Sequence, residues 1–335
     1  MHRLSLCAVV ALVPSLLVGC SQKADDGRPR VAFVTNNPHA FWTFAERGCE
    51  KAAKDFNCVV EFRRPAQNSP KDQQDIVDKL LLTGIQGIAV SPNDAKNQVV
   101  FYDNVASKVP LITQDSDLPP GSKRLCYLGT DNVGAGRAAG TLVKEALPDG
   151  GQIVILVGSL DVQNAQERRQ GVLDELSGTP GATGPQLGKY ELLNTITDNG
   201  QEKECQRKVA DFLTTFKGDP TKLCFVGLWA YNPHAALEAV KAAKLEGKIK
   251  VVGFDEDDQT LVAIQDGLIH GTVVQQPFEF AYESVRILVG LVKGDKSVLP
   301  PGGVKYIPHN IIKRDNVEAF RAKVKQMLQP SAPSA

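Results

Sequence analysis

The sequence carries no excess of charge. Its 38 Lys and Arg are matched by 38 Asp and Glu, and no basic stripe stands out. Nucleic acid is therefore not an expected partner. Histidine is sparse: His2, His39, His234, His270 and His309 are scattered, with no His-Glu-x-x-His pair. The seven Cys show no Cys-x-x-Cys spacing, so no metal site is indicated. There is no Gly-x-Ser-x-Gly elbow and no P-loop, and no nucleophile stands beside a base. The reading is of a protein that is not an enzyme and takes no cofactor or metal. No apolar run reaches membrane length; residues 4–18 come nearest and fall short of the ~20 that a span needs.

That first apolar run still has a use. A short basic head, Met1-His-Arg3, precedes it, and Leu17-Val-Gly-Cys20 ends it before polar Ser-Gln-Lys. This is the layout of a secretory signal peptide over 1–19. The ending resembles a bacterial lipobox, which implies cleavage before Cys20 and lipid on Cys20. An ordinary signal peptide with an incidental Cys is the alternative. Residues 20–29, with Gly27 and Pro29, read as a flexible tether. Beyond Cys7 and Cys20, an odd set remains: Cys49, Cys58, Cys126, Cys205 and Cys224. A complete disulfide framework is thus excluded, although one pair could bridge.

From Val31 onward, strand and helix patterns alternate. Strands are expected at 31–34, 58–62, 87–92, 110–117, 125–129, 151–158, 191–196, 223–227, 249–254 and 271–274. Helices are expected at 75–82, 95–106, 165–176, 203–216, 233–244, 259–266 and 280–292, with a tail from 305 to 328. About ten strands separated by helices make βαβ units and parallel sheets, here splitting into two near residue 130. Gly134-Ala-Gly136-Arg-Ala-Ala-Gly140 superficially looks like a dinucleotide loop. Its glycines are misplaced for one, and Asp131 or Asn132 caps a helical pattern there, so close helix packing is the reading. Asp255-Glu-Asp-Asp258 lacks the alternation of a calcium loop and reads as a solvated loop with one buried carboxylate.

The most informative stretch is Val31-Ala-Phe-Val-Thr-Asn-Asn-Pro-His-Ala-Phe-Trp42. A β-branched run stops at Asn36-Asn37-Pro38, and Phe41 and Trp42 follow before a helix. Amides and flat rings thus meet at the carboxyl end of a first strand, where open α/β sheets bind ligands. Amides suit hydroxyls and rings suit an apolar sugar face. Phe41 and Trp42 equally suit a plug between helix and sheet.

Other loops follow suit: Thr113-Gln-Asp115, Gln166-Glu-Arg168-Arg-Gln-Gly171, Val252-Gly-Phe-Asp255, and Thr272-Val-Val-Gln275-Gln-Pro277. In order and spacing, these stretches resemble the ribose-binding-protein family of periplasmic sugar receptors, the type I solute-binding proteins of ABC transporters. The resemblance runs from about Arg30 to the C-terminus. It implies two doubly wound parallel-sheet α/β domains joined by a three-strand hinge, with a ligand cleft between them. The crossovers would fall near Thr130-Asp131, Gln275-Gln276 and Tyr306-Ile307. One domain would combine 30–130 with 277–306, and the other 131–276 with 307–335.

The implied ligand residues are Asn37, Phe41, Trp42, Ser91, Asp115, Arg168, Trp229, Asp255 and Gln275. Carboxylates accept paired hydroxyls, a guanidinium donates as a fork, and amides do both. The chain departs from the ribose receptors at Ser116, Ser91 and Leu228-Trp-Ala-Tyr-Asn232, which leaves ribose itself open. The resemblance further implies a monomer outside the cytoplasmic membrane. It would hold a pentose or hexose and deliver it to the membrane subunits of an ABC permease, or report it to a chemoreceptor or histidine kinase.

Overall fold

The structure, a computed structural model, describes residues 26–328. The signal peptide, Cys20 and most of the tether lie outside the described residues, as do residues 329–335. Strands β1 (Arg30–Val34), β2 (Val59–Arg63), β3 (Gly87–Val90), β4 (Leu111–Gln114) and β5 (Tyr127–Gly129) alternate with helices α1 (Trp42–Asp55), α2 (Pro70–Leu82) and α3 (Val99–Ala106). The second run is α4 (Asn132–Ala146), β6 (Gly151–Val157), α5 (Gln163–Ser177), β7 (Gln186–Leu187), β8 (Tyr190–Thr197), α6 (Glu202–Thr215), β9 (Leu223–Gly227), α7 (Asn232–Ala242), β10 (Lys250–Phe254), α8 (Asp258–Gln265) and β11 (Gly271–Val274). Helix α9 (Pro277–Val292), β12 (Val304–Tyr306), β13 (Asn310–Lys313) and α10 (Val317–Leu328) close the chain.

The strands form two sheets, ordered β12-β5-β4-β3-β1-β2 and β13-β11-β10-β9-β6-β8-β7. The first is parallel throughout, and the second is parallel except for its edge strands β7 and β13. Stripped of edges, both read 2-1-3-4-5, a doubly wound order whose switch point lies beside the first strand. The chain passes from the first sheet to the second after β5, returns after β11 into α9, and crosses again from β12 to β13.

The strands are apolar on both faces because helices cover both. Val31 and Phe33 pack with Ala45, Cys49 and Ala52 of α1 and with Phe280 and Leu288 of α9. Ala32 and Val34 point the other way, into Val77 and Leu80 of α2 and Tyr102 and Val105 of α3. Each such side chain contributes ~1.5–3 kcal/mol on full burial. The glycine run sits in α4 as expected, with Asp131 capping through the Gly134 amide at 3.0 Å. A Cβ added at Gly136 would lie 2.2 Å from the Arg168 carbonyl of α5, so the helices meet backbone to backbone.

Three strands were not expected. β7, β12 and β13 are short edge strands, and their polar, partly exposed residues blur the apolar pattern. Helix α2 also starts earlier than its apolar positions suggest, at Pro70, because Ser69 caps it and Pro fits the first turn. Helix α3 starts later, at Val99. Cys49, Cys58, Cys126, Cys205 and Cys224 are all free and buried, so the possible bridge is not formed. In the acidic loop, Asp257 caps α8 through the Gln259 and Thr260 amides. No group of three or more metal-ligating side chains occurs among the described residues.

Candidate ligand-binding cleft

A cavity of about 580 Å³ lies where the carboxyl ends of the two sheets face each other. That size suits a small molecule. Its lining includes Asn37, Phe41, Trp42, Asp115, Arg168, Trp229, Asp255 and Gln275.

The two aspartates occupy equivalent places. Asp115 follows β4 and Asp255 follows β10, and both adopt a left-handed backbone, with φ of 59° and 66°. Asp tolerates that conformation better than most residues. Each is pinned the same way. The Asp115 amide donates to Leu128 O at 3.1 Å, and the Asp255 amide to Val273 O at 2.7 Å. Their carbonyls accept from Tyr127 Oη and Thr272 Oγ1, each at 2.9 Å. The strand ends thus aim two carboxylates into one space from opposite sheets.

Arg168, on α5, lies between them and is 2% exposed. Its Nε donates to Asn132 Oδ1 at 2.9 Å and its Nη1 to Leu228 O at 3.0 Å. The guanidinium sits 4.2 Å from the Phe254 ring centre, a cation–π contact. Its Nη2 stands 3.9 Å from Asp115 Oδ1, an ion pair beyond hydrogen-bond reach. Burial pushes the Asp115 carboxyl above the usual range, against the opposing pull of Arg168, Ser91 and Asn164. Burial likewise pushes Asp255 up to about 6, opposed by Arg168 and Gln275.

Trp42 Nε1, Asn164 Oδ1 and Arg168 Nη2 are buried without hydrogen-bond partners, and all three side chains line the cavity. A buried unpaired polar atom costs ~1–3 kcal/mol. A ligand offering both donors and acceptors would offset that cost. The arrangement can therefore bind a polyhydroxylated molecule.

Individual expectations fare differently. Ser91 does not line the cavity; it donates from beneath to Asp115 Oδ2 at 2.8 Å. Trp42 belongs to the core as well as to the lining. It is 1% exposed and meets Phe33 and Phe41 edge-on, with ring centres 6.1 and 5.1 Å away. Gln275 Nε2 donates to Asp255 Oδ1, and its Oε1 accepts from Thr130, both at 2.9 Å. Asn37 turns to its own loop, donating to Asn36 Oδ1 and accepting from the His39 amide.

The implied ligand set left out several contributors. Asn36 donates to Asp115 Oδ2 at 3.4 Å, and Asn164 reaches the same oxygen from the other sheet's α5 at 3.2 Å. Asn164 stands four residues before Arg168, one helical turn along the same face, and that spacing was a usable signal. Buried Gln73 ties the loops after β1 and β3 together through Thr35 O and Ser91 O. Nothing in its surroundings in the sequence marks it.

Residues 31–296 match the model of the periplasmic binding protein domain. The chain belongs to that family. Family relatives include the ribose import binding protein of Salmonella typhimurium, 26% identical over 86% of this chain and 92% of that protein. The fructose import binding protein of Bifidobacterium longum is 23% identical over 86% and 87%. Among solved structures, a solute binding protein of an ABC transporter from Agrobacterium vitis, bound with α-D-tagatopyranose, superposes with a TM-score of 0.79. It is 20% identical and covers 91% of this chain and 100% of its own. The family's type I fold, with two parallel-sheet α/β domains, is that of this chain.

Proposed function

We propose that this protein captures a small sugar, a pentose or hexose, outside the cytoplasmic membrane and delivers it to an ABC permease. The observation that carries the reading is the convergence of Asp115 and Asp255, from equivalent strand ends, on the cavity that Arg168 shares. Two carboxylates accept hydroxyls from opposite sides, Arg168, Asn164 and Gln275 add donors and acceptors, and Phe41 and Trp229 cover apolar ring faces. The names of the relatives above support the sugar class.

The two lobes would be 30–130 with 277–306 and 131–276 with 307–335, hinged at the three crossovers. Capture would proceed by closure of one lobe on the other. The orientation described is consistent with a closed form: Asn164 bonds Asp115 across the cleft, and the Ala95 amide reaches Asp161 O at 3.4 Å. Cys20 would carry lipid and the tether would hold a monomeric receptor near the membrane.

The test is a thermal-shift screen with D-ribose, D-allose, D-arabinose, D-tagatose, D-fructose, D-galactose and the corresponding sugar alcohols. A ligand at one hundred times its dissociation constant adds about 2.7 kcal/mol of stability. A flat response to the whole panel would overturn the sugar reading. A sugar hit without copurifying permease subunits would point to a sensing partner instead.

A further inference from the structure

We propose that Asp198 is a positioning residue of this cleft, which sets the aromatic wall of Trp229 and Tyr231 from outside the cavity. For its ligand readout the inference rests on the sugar-capture reading.

Asp198 directly follows β8 and is fully buried, yet it does not line the cavity. Its neighbours Asn199 and Gly200 do, as do Trp229, Ala230 and Tyr231. Its two oxygens hold that wall by separate bonds. Tyr231 Oη donates to Oδ1, and Asn232 Nδ2 donates to Oδ2 at 2.9 Å. The Gly200 amide adds a third bond to Oδ1, at 3.0 Å. Asn232 passes the constraint on, because its Oδ1 accepts from the Trp229 amide at 2.9 Å. One carboxylate thus fixes both the phenol and the backbone that carries the indole.

The backbone completes the frame. The amides of Asp198 and Asn199 donate to Gly158 O at 3.3 and 2.8 Å. The Trp229 ring lies over Gly158, where a Cβ would fall 1.9 Å from Cζ3. Tyr231 in turn faces His39 of the first sheet's loop, with ring centres 5.6 Å apart. The wall that Asp198 holds is therefore one that meets the opposite lobe. A carboxylate is needed at this hub because Oδ1 faces the Gly200 amide and Oδ2 the Asn232 amide group, both of which can only donate there; a neutral amide would set its NH₂ against one of them. Burial keeps this carboxyl at about 6, so the hub can be neutralised at mildly acidic pH. The charged and titratable groups around it are Tyr231 and Cys205, with Lys208 on the adjacent Thr197 carbonyl at 2.8 Å, Glu202 beside Cys205 on α6, and His39 beyond the Tyr231 ring.

The chain has two tryptophans. In the full-length chain carrying Trp42→Phe, emission reports Trp229 alone. Introducing Asp198→Asn should shift that emission and raise acrylamide quenching at pH 7. The Asp198 form should show an emission transition near pH 6, and the Asn form should lack it. With Trp42 restored, Asp198→Asn should weaken the sugar identified by the panel by about tenfold. If Asp198→Asn fails to fold by circular dichroism, Asn232→Ala cuts the link to Trp229 alone and carries the same emission test. Unchanged Trp229 emission and quenching in a folded variant of either kind overturns the proposal. If no sugar binds the wild type, the capture reading fails, and the Trp229 measurements still decide the positioning role.

Discussion

Asp115 and Arg168 face each other across the cleft, with 3.9 Å between Oδ1 and Nη2. One follows a strand of the first sheet and the other lies on a helix of the second, so their pairing spans the cleft. The gap is too long for a direct hydrogen bond, and Nη2 has no other partner. A hydroxyl between them would satisfy both groups. Hydrogen bonds to charged groups contribute ~1.5–3 kcal/mol each. Asp115→Asn and Asp255→Asn should therefore each weaken sugar binding by roughly tenfold to a hundredfold. Asn tolerates the left-handed backbone at both sites, so folding should survive. Arg168→Lys should also weaken binding, since an ammonium cannot reproduce the planar fork. Titration calorimetry decides: undiminished affinity in both Asn variants would place the site elsewhere, and loss at Asp115 alone would argue for a pocket within one lobe.

The backbone of Arg168 is packed against a glycine. Gly136 of α4 lies against the Arg168 carbonyl, and a Cβ there would also come within 2.9 Å of the Arg168 Cα. Backbone cannot yield as a flexible side chain does. Gly136→Ala should push α5 outward, cost about 1–3 kcal/mol of stability by overpacking, and weaken sugar binding more than its own distance from the cavity suggests. Chemical denaturation and calorimetry on the same sample test both effects. Wild-type affinity in the variant would show that α4–α5 packing does not set the guanidinium.

How much of this was legible beforehand follows from the kind of constraint. The buried strands announce themselves, because sheets covered on both faces need continuous apolar runs such as Val31 to Val34. Asp115, Arg168 and Asp255 sit in short stretches that resemble the family's strand ends and helix start, so the resemblance pointed to their places. Gln73 and Asp198 were not readable. Each acts through partners far along the chain, such as Ser91 and Tyr231, and a polar residue in a loop or helix gives no sign that it is buried. Ser91 was readable as polar and near the site, but which way it points is set by the approach of β3 to β4.

Acid should move stability and affinity in opposite directions. Asp198 and Asp255 are held near 6, and Asp115 and Glu256 are also raised, all chiefly by burial. A carboxyl with a raised native pKa binds its proton more tightly when folded. Its contribution to stability is full below the unfolded value of about 4 and is lost as pH rises through about 6. Asp257 and Glu283 are depressed, and their contributions are lost only as pH falls below about 4. Between pH 7 and 5 the raised His234 adds to the gain, and His39 and His309, lowered by burial, oppose it. With the four raised carboxyls outweighing the two lowered imidazoles, the unliganded protein should gain stability over that range. Sugar binding needs ionised acceptors, so affinity should fall below about pH 6. Denaturation and calorimetry at pH 5, 6, 7 and 8 test both; affinity flat across that range would remove the carboxylates from the binding site.

Anchoring is tested apart from the fold. Cys20 closes Leu17-Val-Gly-Cys20 after the apolar run. Cys20→Ser should abolish incorporation of a labelled fatty acid in cells and release the protein from the membrane fraction. Equal labelling of both forms would remove the lipoprotein assignment.

Gly158 offers a way to move Trp229 without removing any side-chain hydrogen bond of the wall. It follows β6, and the Trp229 ring lies flat enough against it that a methyl group would overlap Cζ3, Cε3 and Cη2 at 1.9, 2.2 and 2.5 Å. Trp229 is 8% exposed, and its ring meets that of Tyr231 edge-on at 6.4 Å. Gly158→Ala must therefore displace either the ring or the loop after β6. Displacement of the ring narrows the cavity, because Trp229 lines it. Overpacking of this kind costs ~1–3 kcal/mol, and the Asp198–Tyr231–Asn232 bonds oppose relaxation of the wall. The expected result is a folded protein with a lower melting temperature, sugar affinity reduced by at least tenfold, and altered Trp229 emission in the Trp42→Phe background. The loss should be larger for hexoses than for pentoses, since the bulkier ring meets the displaced indole first. Equal loss for both would mean that the loop, and not the ring, has moved. Unchanged affinity would show that Trp229 borders the cavity without touching the ligand.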